Sequence, residues 1–381
     1  MKISHNSLNN NDWLESFDLS LDSKNTIVFI FSQLSKDAIQ IHINHLVNIY
    51  PKSHIFGCST AGQIFNGKLL DASVLVSVIK FEKNTVSFHS TEINDSCDSF
   101  SKGLYLANQF SDITDLNNLI VLSEGLNING SQLIDGFNSV IEDKLSISGG
   151  LAGDDDKFSK TWVINHHKQA KENCIATIGL SGPSIQSKNA SKGGWDMIGI
   201  DRQVTKSIDN ILYELDHKPA LKIYKEYLGE YSNKLPSSGL LFPLSIIDKY
   251  DQSLNKVRTI LAVNHEENSI TFAGDIPTGS VVRLMHANFD RLIDGADDAT
   301  QCLIKNTTIK NQNCFCLSIS CVGRKLILGQ RAEEEIEAVQ DSIPTQCQQI
   351  GFYSYGELSP QTNGICDLHN QTMTLTLIWE E

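Results

Sequence analysis

The chain has 381 residues, 40% of them hydrophobic and 20% charged, with a formal net charge of −14 and a pI near 5.2. That composition supplies a sizeable core and excludes a disordered chain. The acidic excess repels phosphate backbones and no Lys/Arg cluster offsets it, which argues against a nucleic-acid partner.

Met1 to Trp13 is polar and Asn-rich, with no apolar run behind a basic stretch, so no secretory leader is expected. Residues 1–24 read as an N-terminal extension. Thr26-Ile-Val-Phe-Ile-Phe31 is a continuous apolar run, as in a strand covered on both faces. Lys36 to Ile49 has an approximate helical period and ends near Pro51. His54-Ile-Phe56 then runs into the loop Gly57-Cys-Ser-Thr-Ala-Gly62, completing an α/β unit. Ala72 to Phe81 and Thr85 to His89 read as paired strands. Ser101 to Phe110 and Ser131 to Ile141 read as helices on either side of a buried strand, Asn118 to Leu122. Ser146 to Asp154 passes from strand to loop.

Asp216-His-Lys-Pro219 breaks the pattern and places a boundary there, giving regions 25–215 and 216–381. Asp209 to Tyr213 before it and Ala220 to Leu228 after it are expected to flank a hinge. Beyond it, strands are expected at Val257–Val263, Ser269–Phe272, Val281–Met285, Cys314–Val322 and Met373–Ile378. Further helices are expected at Phe289–Lys305 and Ala332–Val339. The predicted class is α/β, or mixed α+β, in two related halves, each a sheet with flanking helices. The loops starting at Gly57 and Gly351 share the pattern Gly-x-x-Ser/Thr-x-Gly-Gln/Glu-aliphatic, consistent with an old duplication or with two similar tight turns.

Motifs for chemistry are sparse. Gly57–Gly62 lacks a P-loop lysine, and Gly149-Gly-Leu-Ala-Gly153 is followed by three aspartates that would repel a pyrophosphate. No Gly-x-Ser-x-Gly elbow is present, and no enzyme activity is expected. Asp154 to Asp156 lack calcium-loop spacing and read as a turn or cap. The nine cysteines are odd in number and scattered, fitting reduced thiols in a cytoplasm. Cys314, Cys316 and Cys321 form the only tight group, where ordinary buried thiols compete with a zinc site.

Five segments, taken in order, resemble the FIST sensory domain: Phe56 to Ile64, Gly149 to Asp155, Ser320-Cys-Val-Gly-Arg324, Gln349 to Glu357 and His369-Asn-Gln-Thr-Met-Thr374. The resemblance implies a sensor of small ligands without catalysis, acting on a separate histidine kinase or cyclic-di-GMP enzyme, with a homodimer as one arrangement. The stand-alone form is similar to bacterial nitric-oxide-sensing haem proteins of this family, which implies haem as cofactor. An axial imidazole would then come from His369, with His286 second, and Arg283, Arg291 or Arg324 would meet the propionates. The other reading is a pocket for an amino acid or similar small polar metabolite. There Arg324 would clamp a carboxylate, Glu357 would pair an amine, and Tyr353 and Tyr355 would form walls beside Ser59, Thr60 and Asp154. For His369, a structural hydrogen bond holding the Glu357 loop stands beside the haem role; for Arg324 and Glu357, so does an ion pair with each other. Both ligand readings need the turns around Thr60, Asp154 and Glu357 to converge.

Overall fold

A computed structural model describes residues 1–9, 12–70, 74–141, 145–250, 255–305, 307, 309 and 312–381. Its elements fall into three copies of one topology. The first copy runs β1 (Lys2–Asn9), a two-residue β2 (Asp12–Trp13), β3 (Thr26–Ser32), α1 (Lys36–Ile49), β4 (His54–Ser59), the hairpin β5 (Gln63–Phe65) and β6 (Lys68–Leu70), and β7 (Val74–Lys80). The second runs β8 (Thr85–Glu92), α2 (Ser99–Asn108), β9 (Leu116–Ser123), α3 (Gly130–Asn138), β10 (Ser146–Leu151), the hairpin β11 (Val163–Ile164) and β12 (Ala170–Lys171), and β13 (Cys174–Ser181).

The third copy opens with β14 (Ile185–Lys192) and is then interrupted by an insert. That insert comprises β15 (Asp196–Ile208), β16 (Ile211–Leu215), β17 (Lys218–Pro219), α4 (Ala220–Leu228), β18 (Leu244–Ile247), β19 (Lys256–Arg258), β20 (Ile260–Asn264), β21 (Ser269–Phe272) and β22 (Val281–His286). The copy resumes with α5 (Phe289–Ile304), β23 (Cys314–Cys321), α6 (Val322–Leu328), α7 (Ala332–Ser342), β24 (Cys347–Ser354), the hairpin β25 (Gly356–Pro360) and β26 (Cys366–His369), and β27 (Met373–Glu380).

Each copy builds its sheet the same way. A parallel pair (β3–β4, β9–β10, β23–β24) is flanked by an antiparallel strand (β7, β13, β27) and then by the opening strand (β1, β8, β14). The hairpin after each parallel pair leaves its own sheet. β5–β6 joins the third sheet, β11–β12 the first, and β25–β26 the second. The chain thus exchanges one hairpin per copy around a ring.

The mixed α/β class holds, with helices layered on sheets. The likeness between the Gly57 and Gly351 loops extends to a third copy at Gly149. In register, Gly57 faces Ile30, Gly149 faces Val121 and Gly351 faces Ser318. A Cβ at these glycines would lie 1.9, 1.8 and 1.7 Å from the facing carbonyl oxygen, so each position requires glycine. Val74–Lys80 and Thr85–Glu92 are strands, but β7 and β8 belong to different sheets because a copy ends between them; Ala72 and Ser73 lie outside the described residues. Residues 2–9, expected in an N-terminal extension, form β1 and pair with β7 from Lys2 to Leu8. The Val257–Val263 strand is broken at Thr259 into β19 and β20.

The inner faces of the three sheets share one core. Phe31 stacks obliquely on Phe352 with centroids 4.8 Å apart, and Phe29 meets Phe56 and Phe315 at 5.8 and 6.0 Å. Burying each such ring contributes about 1.5–3 kcal/mol. α1 starts at Ser35, whose hydroxyl accepts from Ala38 N, and α5 at Asn288, whose side chain accepts from Asp290 N and Arg291 N. The insert has its own core around Val204, Leu212, Tyr224 and Phe272. It docks on the ring through Asp275, which accepts from Asn129 and Gln132, and through Arg258, which donates to Leu368 O. Among the described residues no helix is long and apolar enough to cross a membrane.

Candidate functional site

Where each hairpin leaves its sheet, the chain crosses the ring's axis. The three crossings are stitched by equivalent backbone hydrogen bonds: Ala61 N to Tyr353 O, Gly153 N to Ser59 O and Tyr355 N to Leu151 O, at 2.9, 3.0 and 3.2 Å. The turns around Thr60, Asp154 and Glu357 therefore converge.

The side chains around these crossings are mostly committed to one another. Ser59 Oγ accepts from Trp162 N, and Thr60 Oγ1 accepts from Gln63 Nε2. Asp154 accepts from Lys160 N, Ser159 N and the Tyr355 hydroxyl. Burial pushes the Asp154 carboxyl up, yet those donors together outweigh it and hold it below the usual carboxylate range. Phe158 stacks on Tyr355 with centroids 4.5 Å apart, so the 154–160 loop folds over the junction. Lys325 Nζ reaches Ala61 O and Asp155 Oδ1 at 2.6 and 2.8 Å.

Arg324 is fully buried. It pairs with Glu335 at 2.7 Å and donates to the carbonyls of Gly193, Leu292 and Gln371. Glu335 also accepts from Ser320 Oγ and from the Tyr353 hydroxyl at 2.9 and 2.8 Å. This network ties α6, α7, β23 and β24 to Gly193, in the link between β14 and the insert.

One part of the junction is not self-satisfied. Glu357 is fully buried; it accepts from Ser354 Oγ, Thr372 N and Thr372 Oγ1. Burial pushes its carboxyl up to about 8. Beside Thr372, the Gln371 side chain is fully buried, and neither its amide nitrogen nor its oxygen has a partner. Its backbone sits in the left-handed region, at φ 61°, which costs a non-glycine residue about 1 kcal/mol or more. Asn370 Oδ1 and Ser359 Oγ are likewise buried and unpartnered. In the second copy, Glu124 Oε1 and Ser123 Oγ are in the same state, and burial raises the Glu124 carboxyl. Buried polar atoms are nearly always paired, so the unpartnered atoms at the Glu357 turn and at Ser123 and Glu124 are candidates for contact with a ligand.

Residues 26–218 match the FIST N domain and residues 220–360 the FIST C domain. The chain belongs to the FIST family. It is 26% identical over 376 residues to the uncharacterized protein MJ1623 of Methanocaldococcus jannaschii, covering 87% of this chain and 69% of that protein. Among solved structures, a chorismatase is similar at TM-score 0.39 and 7% identity, over 100% of this chain and 98% of that one. A cyanuric acid hydrolase from A. caulinodans is similar at TM-score 0.35 and 7% identity, over 93% and 90%. Neither structural likeness is close enough to inform the site.

Within the FIST fold the expected site residues part company. Ser59, Thr60, Asp154, Tyr353, Tyr355 and Glu357 gather at the axis. His369 lies beside them, its backbone opposite Glu357 in the β25–β26 ladder. Its Nε2 is 3.0 Å from Ser359 O, on the strand that carries Glu357, and burial lowers its pKa. Arg324 is not available to a carboxylate or a propionate, because its donors are spent on Glu335 and three carbonyls. The expected Arg324–Glu357 ion pair is replaced by Arg324–Glu335, since α7 carries Glu335 over the guanidinium. His286 and Arg283 sit on β22, in the insert's sheet. The His286 ring packs at 5.4 Å from Phe242, and Arg283 pairs with Asp201 at 2.7 Å. Arg291 pairs with Asp196 at 3.2 Å. These side chains are thus distributed over β22, α5, α6 and the Glu357 turn. Among the described residues no group of three or more His, Cys, Asp or Glu is placed to hold a metal, and Cys314, Cys316 and Cys321 are buried thiols. Gln371, Asn370, Ser359 and Glu124 were not picked out as site residues; Asn370 and Gln371 were visible only as part of the His-Asn-Gln-Thr segment.

Glu357 makes a pH prediction. Its folded pKa lies above the ordinary value of 4.5, so the folded state holds that proton more tightly. Its stabilising contribution is complete below about pH 4.5 and is lost as pH rises through about 8. A Glu357→Gln variant should lack this component. Its melting temperature, compared with the parent between pH 5 and 9, should pull ahead as pH rises. Parallel curves would remove the buried-acid assignment.

Proposed function

We propose that this FIST protein senses a small polar molecule carrying a protonated amine, such as an amino acid, and reports its presence to a separate signalling protein, a histidine kinase or cyclic-di-GMP enzyme. The observation that carries this reading is the Gln371 carboxamide, fully buried and unpartnered on both atoms beside Glu357, whose neighbouring cation, Arg324, is already paired with Glu335. A ligand amine supplies the charge that stabilises ionised Glu357, and its remaining polar groups satisfy Gln371. Binding would then release a proton near neutral pH.

The coupling route is short. Gln371 O accepts from the Trp195 indole at 2.8 Å and from Arg324, and Trp195 leads directly into β15 of the insert. A ligand that moves the Asn370–Thr372 turn moves the insert's hinge, and so biases one of two arrangements that a partner can distinguish.

The test is a melting-temperature screen with amino acids and short amines on the parent and on Gln371→Leu. The variant should be about 1 kcal/mol more stable without ligand, because an orphaned carboxamide is removed. It should lose ligand-induced stabilisation, which in the parent reaches about 2.7 kcal/mol at a hundred times Kd. Undiminished binding by Gln371→Leu, or no response from the parent to any amine, would sink the reading. A Soret band on supplying haem, unchanged in Gln371→Leu, would turn the case toward haem.

A further inference from the structure

The three copies meet at three seams, and two of them are closed by a contact between equivalent residues. Counting from the required glycines, His54, Ser146 and Gln348 each stand three residues before Gly57, Gly149 and Gly351. On the opening strands, His5, Phe88 and Asn189 occupy matching positions, opposite Ser77, Ile178 and Thr376. Where the second copy meets the first, Phe88 packs on His54 and Phe56, with centroids 6.1 and 5.5 Å away. Where the third meets the second, Asn189 Nδ2 donates to Ser146 Oγ at 2.6 Å.

Where the first meets the third, no such contact forms. His5 and Gln348 instead line a cleft of about 390 Å³, together with Ile3, Ser4, Glu15, Phe65 and Asn313. Gln348 turns away and accepts from Asn66 Nδ2. His5 Nδ1 is 2.9 Å from Ser77 Oγ and its ring lies 4.9 Å from Phe65, while Nε2 is buried without a partner.

The chemistry of the lining narrows the occupant. Among the described residues no lysine or arginine lines the cleft, and Glu15 stands on its wall, so anions are disfavoured. Burial pushes the His5 pKa down to about 4, so near neutral pH the ring offers a hydrogen bond and no charge. Asn313, Gln348 and Ser4 add neutral polar groups, and Phe65 and Ile3 supply an apolar wall. The volume is that of a small-molecule site. We propose that the seam between β1 and β24 is a second binding site, for a small uncharged amide-bearing molecule hydrogen-bonded to His5 Nε2 and lying against Phe65.

The test uses full-length protein labelled with 15N-histidine, titrated at pH 7 with nicotinamide and, separately, with nicotinate. Nicotinamide should shift the His5 ring nitrogens saturably, with a Kd of about 1–10 mM expected of a fragment. Nicotinate should leave them unmoved. His5→Phe, which installs the residue found at the equivalent Phe88, should fold and lose at least tenfold in nicotinamide affinity. If it does not fold, Gln348→Ala takes its place and should weaken binding severalfold. An unmoved His5 signal up to about 50 mM nicotinamide, an equal response to nicotinate, or full affinity in the variant that folds would overturn the proposal.

Discussion

Arg324→Met is expected to destabilise this protein by about 3–5 kcal/mol, read as a lower urea midpoint at unchanged slope. The loss comes less from the ion pair than from what is left behind. Glu335 would remain fully buried, accepting from Ser320 and Tyr353 but without its cation. The carbonyls of Gly193, Leu292 and Gln371 would also lose a donor at once. Adding Glu335→Leu to the same chain should return part of the loss, since apolar groups in place of a buried pair are often nearly neutral. A single variant within about 1 kcal/mol of the parent would show that the network is not what holds α6 and α7 to the third sheet.

Alanine at Gly57, Gly149 or Gly351 should be damaging to a similar degree at all three positions. Each added Cβ would sit under 2 Å from a carbonyl oxygen of the parallel neighbour, which neither a side chain nor a rotamer change can relieve. Overpacking ordinarily costs about 1–3 kcal/mol, and backbone collisions belong at or above the top of that range. Gly329→Ala is the control. Its φ is 56° and nothing lies within 4 Å of the added carbon, so only left-handed strain of about 1–2 kcal/mol remains. Matching large losses in the three variants, measured by denaturant unfolding, would confirm that the copies are mechanically equivalent. One tolerant position would single out a copy that has drifted.

Local order was readable because its signals are local. Thr26–Phe31 is apolar on both faces, since it is buried on both, and Lys36–Ile49 keeps its helical period behind a Ser35 cap. Phe289 to Ile304 and Ala332 to Ser342 likewise follow their apolar stripes. β1 was not readable. Its inward residues include His5 and Ser7, and its partner, β7, begins 65 residues after β1 ends, counting from Asn9 to Val74. The third copy of the glycine loop is not legible in the sequence because Gly149-Gly-Leu-Ala-Gly153 shares only its first glycine and its place with the other two; the match lies in register, not in side chains. The site was half legible. The motif residues do converge, yet which were binding groups and which were braces depended on partners far along the chain. Arg324 looked like a clamp until Glu335 was seen above it. Gln371 became conspicuous only once its amide was found with nothing to hold.

The exchanged hairpins bear on how the polypeptide matures on the ribosome. Beyond its hairpin partner β6, β5 waits for Ile350 to Phe352, and β10 keeps an open edge until Gly356 to Leu358 emerge. Nascent chains stopped before residue 347 would hold a nearly finished first sheet, an orphan hairpin and a bare strand edge at the same moment. Such intermediates invite capture by chaperones or by one another, and release from that hazard comes in a single late step when residues 347–381 thread two sheets together.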